Sequence, residues 1–296
     1  MSNIIRLIFG FALLCILFFV VDVQELVKIF ATVSLFKFLL FFIFSFFLIF
    51  ISALKWQALY RIRGFSVPLK DMFWWYFLSY AFGFIVPLGF VGADLARIQF
   101  AKEISNYKGS MSTVIQDRYT GFLTMFLVGT ILCFFSKNIP PSISSLTAMI
   151  FFSGLVLPLI FFQIKIFKKY KDLILIYSDW NSTHFFVFFY SFLFYVSTVL
   201  NILIGAWVID MPIQSIVDLS ALLPLVFLAS SLPVSPQGLG IQEGFYFFLF
   251  QFVGGQPEEA LALALLLRIK VILLAILGTL IIIFKKNLLK NFFNLG

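Results

Sequence analysis

Ionisable side chains stand at a few points inside otherwise apolar sequence, and their types suit the binding of an anion. Asp94 and Arg97 follow Gly92-Ala93, and Asp117 and Arg118 stand near the start of an apolar run as Ile115-Gln-Asp-Arg-Tyr-Thr-Gly121. Glu243 follows the breaker-rich stretch Pro236-Gln237-Gly238-Leu-Gly240-Ile-Gln, and Arg268 sits between Leu265-Leu-Leu and Ile269. A charged group at the centre of an isolated helix in hydrocarbon costs about 2.5 to 3.5 kcal/mol on insertion scales, so each needs a partner or water. Guanidinium forks and free amides at helix N-termini both match phosphate oxygens.

The local pairings are partly constrained. Asp94 is expected to cap a helix beginning at Leu95, with Arg97 one turn on and on a similar face. Adjacent Asp117 and Arg118 cannot face each other on a helix. Asp94 with Arg118, or Asp117 with Arg97, would close a compact network, and residue spacing does not choose between them. Gly238 and Gly240 permit a tight turn after Pro236, which puts Glu243 in the first turn of the next helix, where a carboxylate suits the dipole. Arg268 calls for a counter-charge such as Glu243, with Lys270 as the alternative partner or as a cavity-lining group. Capping and pairing alone would also account for these charges.

Other chemistries find little footing. No GxxxxGK[ST] loop and no HExxH motif occurs, and His184, the only histidine, stands at the start of an apolar run, where a polar interface contact is expected and no Ser/His/Asp constellation is visible. Cys15 and Cys133 lie in apolar runs without metal-ligand spacing, and no cofactor or metal is expected.

Composition sets the class of element that positions these residues. With 62% hydrophobic and 11% charged residues in a chain of 296, the protein must lie in a bilayer. Nine apolar runs are visible: Ile4–Val21, Leu35–Leu54, Met72–Pro87, Val114–Phe135, Leu146–Phe167, Phe185–Ile209, Leu219–Leu232, Ile241–Val253 and Leu261–Phe284. A perpendicular span needs roughly 20 residues, so the third, seventh and eighth read as broken or re-entrant helices. No polar linker separates a soluble domain, and residues 1–296 are expected to form one membrane domain. The N-terminus, with Arg6 and an apolar run to Val21, resembles a signal peptide, but no small-x-small site follows, so a retained helix is expected.

Basic residues give the topology. Lys55, Arg61, Arg63 and Lys70, then Lys165, Lys168, Lys169 and Lys171, then Lys285, Lys286 and Lys290 mark cytoplasmic stretches, while Asp210, Asp218, Glu258 and Glu259 mark the outside. Three runs separate the first two basic stretches, so parity requires one to turn back. Met72–Pro87 is expected to enter, with Trp74, Trp75 and Tyr76 at the interface, and Leu95–Ile104 to return to a loop holding Lys102 and Lys108. Leu219–Val253 makes a second hairpin from the outside. The fold expected is an all-α polytopic bundle of about six full spans plus two opposed re-entrant hairpins, with both termini cytoplasmic; the alternative is eight or nine tilted spans. Gly/Pro-interrupted segments in both halves point to a binding site where the hairpins meet. The net charge of +8 belongs to these loops and not to a nucleic-acid surface.

Gly92-Ala-Asp94-Leu-Ala-Arg97, Asp117-Arg-Tyr-Thr-Gly121, Leu232-Pro-Val-Ser-Pro-Gln-Gly-Leu-Gly-Ile-Gln-Glu243-Gly244 and Leu265-Leu-Leu-Arg268 resemble, in order and spacing, the lysylphosphatidylglycerol synthase transmembrane family, or flippase-like domain. The resemblance covers nearly the whole chain. Two positions depart from it: the family's usual Gly-Gly-Asp reads Gly92-Ala93-Asp94, and its frequent Arg-Glu-Gly reads Gln242-Glu243-Gly244. Some members add a soluble aminoacyltransferase domain, which is not expected within these residues.

The resemblance implies a bacterial inner-membrane translocase for an anionic lipid or a lipid-linked envelope precursor, with envelope glycosyltransferases as possible partners. Its binding residues would be Asp94, Arg97, Asp117, Arg118, Gln237, Gly238, Gly240, Glu243 and Arg268, with Glu243 as a protonation-coupled group. The alternatives are a membrane transferase for a lipid-linked sugar, with Asp94 or Glu243 as base, and a noncatalytic scaffold for an envelope enzyme.

Overall fold

A computed structural model describes residues 3–85, 91–161 and 182–284, and among these the regular structure is helical with no strand. The helices are α1 (Asn3–Val20), α2 (Val23–Ala31), α3 (Leu35–Ile62), α4 (Leu69–Ile85), α5 (Val91–Cys133), α6 (Pro141–Phe161), α7 (Ser182–Val208), α8 (Ile216–Ser231), α9 (Ile241–Phe250) and α10 (Pro257–Phe284). The all-α membrane bundle is as expected. Four helices (α3, α6, α7 and α10) are long and apolar enough to cross a bilayer on their own, and α1 with α2 would make a fifth only as a pair bent by 95°. The interior charges of α5 keep it off that roll. The basic stretches at 165–171 and 285–290 lie outside the described residues.

Contacts at the helix ends orient the bundle. Lys37, near the start of α3, meets Asp210 beyond the end of α7 at 2.6 Å, while the backbone amide of Asp22 meets Glu258 at the start of α10 at 3.3 Å. At the other end of α3, Gln57 donates to the carbonyl of Val67 at 2.7 Å and Tyr60 to Ser110 at 3.1 Å. The acidic residues Asp22, Asp210, Asp218, Glu258 and Glu259 therefore gather at one end, and Arg61, Arg63, Lys70, Lys102 and Lys108 at the other.

Each interrupted segment folds as a helical hairpin, and the two start from opposite ends. The first, α4 and the start of α5, begins beside Val67 at the basic end; its limbs touch through Phe82 and Phe100, whose ring centroids are 5.9 Å apart. The second, α8 through α9, begins and ends at the acidic end, where the backbone amide of Gln214 donates to Val253 at 3.3 Å. At about 1.5 Å per residue, α8 rises about 24 Å and α9 about 15 Å, both short of a hydrocarbon core of about 30 Å. Ser215 caps α8 by accepting from the amide of Asp218 at 3.1 Å.

Two local expectations change. Lys102 and Lys108 lie within α5, which stays helical except for a break at Ser105 and Asn106, where Asn106 takes φ 57°. Lys55 is no loop residue: α3 continues eight residues past the apolar run, carrying Trp56, Leu59 and Tyr60 into the core. The turn after α8 packs on α1, where Gly240 (φ 78°) lies so close that an added Cβ would come within 2.5 Å of the carbonyl oxygen of Gly10. Only glycine suits that approach.

Candidate functional site

The first charge cluster joins α3, α4 and α5. Asp94 lies in the first turn of α5 and does not cap it, since α5 is already helical at Val91. Its carboxylate instead receives Arg97 Nη2 at 2.6 Å and both Nε and Nη2 of Arg118, at 3.0 and 2.9 Å. Arg97 bridges onward through Nη1 to Asp117 Oδ2 at 2.8 Å. Both pairings that the spacing left open are made, because Arg97 can use its two terminal nitrogens on different carboxylates.

Two further members of this cluster are residues that the sequence pattern assigns to other places. Lys55 Nζ lies 3.1 Å from Asp117 Oδ1 and 2.5 Å from its backbone carbonyl oxygen. Tyr76, expected at the interface, donates its hydroxyl to Asp117 Oδ2 at 3.3 Å, while the Arg97 guanidinium stands 4.4 Å from its ring centre and 5.2 Å from that of Trp56. Stacking on aromatic faces and bidentate pairing keep a desolvated guanidinium in place. The signal for Lys55 was its context, Ala53-Leu-Lys-Trp-Gln-Ala-Leu-Tyr60, which continues an apolar helix and does not end it.

The second cluster is built on the turn of the second hairpin. A 3-10 turn over Pro236–Gly238 places Gln237 at φ 45° and Gly238 at φ 68°, and Gly240 precedes α9. Glu243 is fully buried; its Oε2 accepts the amide of Gly240 at 2.8 Å and its Oε1 accepts Arg268 Nε at 2.6 Å. Arg268 also donates to the carbonyl of Gln237 at 2.9 Å and to Gln242 Oε1 at 3.2 Å. The expected Glu243–Arg268 pair is present, and it pins the hairpin turn to the middle of α10. Gln242 supplies a neutral acceptor to that same guanidinium.

Lys270, weighed as a partner for this pair, goes elsewhere. Its ammonium donates to Asn201 Oδ1 on α7 and stands 4.5 Å from the ring centre of Phe41.

All these groups surround one cavity of about 220 Å³, lined by Lys55, Arg97, Asp117, Arg118, Arg268 and Lys270 among others. At about 30 Å³ per water that space holds on the order of seven waters, room for a phosphate group. Tyr80 and Gln237 bring the inner ends of both hairpins to its wall. Of the nine residues predicted, Arg97, Asp117, Arg118, Gln237 and Arg268 line the cavity. Asp94 and Glu243 lie behind, bonded to its arginines, and Gly238 and Gly240 shape the turn. Buried beside this cavity an ion pair is strong but costly to desolvate, so breaking one partner leaves an expensive orphan charge.

The family model for the lysylphosphatidylglycerol synthase TM region matches residues 3–278. No curated protein matches the chain, and no solved structure does.

Proposed function

The chain belongs to the lysylphosphatidylglycerol synthase TM family, and from that premise we propose that it is a lipid translocase that draws an anionic, phosphate-bearing headgroup into the cavity between its two hairpins while the acyl or prenyl tails stay in the bilayer. Family membership supports a membrane protein of lipid or envelope metabolism. The observation that carries the finer reading is the cavity itself, where five cationic side chains face one lining carboxylate.

Hairpins that start at opposite ends and meet at a central polar site have the form that alternating access requires. The basic end, with Arg61, Arg63 and Lys70, suits the cytoplasm by the positive-inside rule, and Asn3 and Phe284 both point toward that end. We therefore assign the protein to the bacterial inner membrane with both termini cytoplasmic. The carboxylates that a transferase would use as base are already bonded, Asp94 to two guanidiniums and Glu243 to Arg268 and an amide. That favours movement over group transfer.

The test is transbilayer movement of labelled phosphatidylglycerol and polyprenyl phosphate in proteoliposomes, with mass spectrometry of the recovered lipids. Translocation without a new lipid mass is the expected result. A new lipid mass once a donor is supplied would favour a transferase, and intact lipids that stay in their leaflet would overturn the reading.

A further inference from the structure

Within the cavity the cations are not alike. Lys55, Arg97, Arg118 and Arg268 each contact a carboxylate at 3.1 Å or less. Lys270 has no carboxylate within ion-pair distance among the described residues, although it is 5% exposed and lines the cavity. Its partners are the amide oxygen of Asn201 and the face of Phe41.

Because an ammonium is donor-only, it requires the oxygen of Asn201 and turns the amide nitrogen away. That nitrogen, Nδ2, has no hydrogen-bond partner, although Asn201 is 2% exposed. A buried N–H left without an acceptor is unfavourable, and Lys270 has further N–H groups to give. Both residues line the same cavity.

The formal charges around the cavity do not balance. Lys55, Arg97, Arg118, Arg268 and Lys270 are five cations, and the carboxylates bonded to them are three, Asp94, Asp117 and Glu243. By formal charge the cations of this cluster exceed its carboxylates by two. A phosphodiester headgroup would supply one negative charge, and a lysylated headgroup is itself cationic; a phosphomonoester supplies close to two.

We propose, building on the translocase reading, that the cavity is matched to a lipid headgroup bearing two negative charges, a phosphomonoester, with one of its oxygens held between Lys270 and Asn201. The site would disfavour cationic aminoacylated lipids by like-charge repulsion.

The protein in nanodiscs would be titrated with phosphatidic acid, a polyprenyl phosphate, phosphatidylglycerol and lysyl-phosphatidylglycerol, at a pH where the monoester is doubly ionised, with binding read by native mass spectrometry. Both monoesters should bind at least tenfold more tightly than phosphatidylglycerol, and the lysylated lipid most weakly. Asn201→Asp, nearly isosteric, gives Lys270 a counter-charge in place. It should preserve thermal stability while lowering phosphatidic acid affinity at least tenfold, and Lys270→Met should do the same to affinity. Equal affinity for monoester and diester, or an unchanged preference in Asn201→Asp, would overturn the proposal. Inorganic phosphate at the same concentration should not displace phosphatidic acid; displacement would make this a free-phosphate site and overturn the lipid assignment. Binding and movement fail separately: diester transport without a monoester preference overturns only this inference, and an Asn201-dependent preference without any lipid movement overturns only translocation.

Discussion

Gln237 donates its side-chain amide to the backbone carbonyl of Tyr80 at 3.4 Å, which ties the turn of the second hairpin to the inner end of the first. Beside this contact Gly83 leaves room for Gln237, since a Cβ there would fall 2.0 Å from Gln237 Nε2.

Gly83→Ala is therefore expected to displace Gln237 and slow lipid movement at least fivefold in proteoliposomes. Gln237→Ala in the same chain should restore much of the rate by clearing the space. Failure of the second change to help would show that the methyl group acts on something else.

Arg97 is the shared cation of a buried carboxylate, Asp117, and a partly buried one, Asp94. Replacing it with methionine should destabilise the protein by about 3 to 5 kcal/mol, as expected for a broken buried pair. Lysine should rescue only in part, because one ammonium cannot reproduce the two-pronged bridge. Denaturant unfolding in detergent micelles would measure both.

Glu243→Gln keeps an acceptor for the Gly240 amide but leaves Arg268 without its counter-charge. Lipid movement should fall at least tenfold, and stability should drop with it. Pairing Glu243→Gln with Arg268→Gln should recover stability without recovering transport, with a coupling energy of about 1 to 3 kcal/mol in the double-mutant cycle.

Topology is open to labelling. Single cysteines at Lys102 and Asn106 should react with a membrane-impermeant maleimide only from the cytoplasmic side, and one at Gln256 only from outside, in a background lacking Cys15 and Cys133. External labelling at Asn106 would show that the first hairpin spans the membrane and does not return.

Much of this site was legible because charges inside apolar sequence are conspicuous. Asp94, Arg97, Asp117, Arg118, Glu243 and Arg268 could be singled out by context alone, and the hairpins followed from short runs and loop parity. Lys55 and Tyr76 were not recognised because a lysine after an apolar run, and a tyrosine after two tryptophans, both resemble interface anchors. Only the continuation of α3 past Leu54 and the packing of α4 bring them to Asp117. The Lys270–Asn201 contact joins residues 69 positions apart on separate helices, a relation that no local pattern encodes.

The backbone contact between Gly10 and Gly240 couples two elements that are far apart in the chain. With no side chain between them to act as a cushion, the turn of the second hairpin cannot tilt without carrying α1 along. α1 is then a lever, and its pivot is the 95° corner to α2, whose N-terminus is held by the Asp22 cap through the amide of Gln24 at 2.8 Å. Any motion that opens the cavity at the hairpin turn would therefore be felt at Asp22, at the acidic end of the molecule, and a spectroscopic label at that corner would report such a motion from a distance.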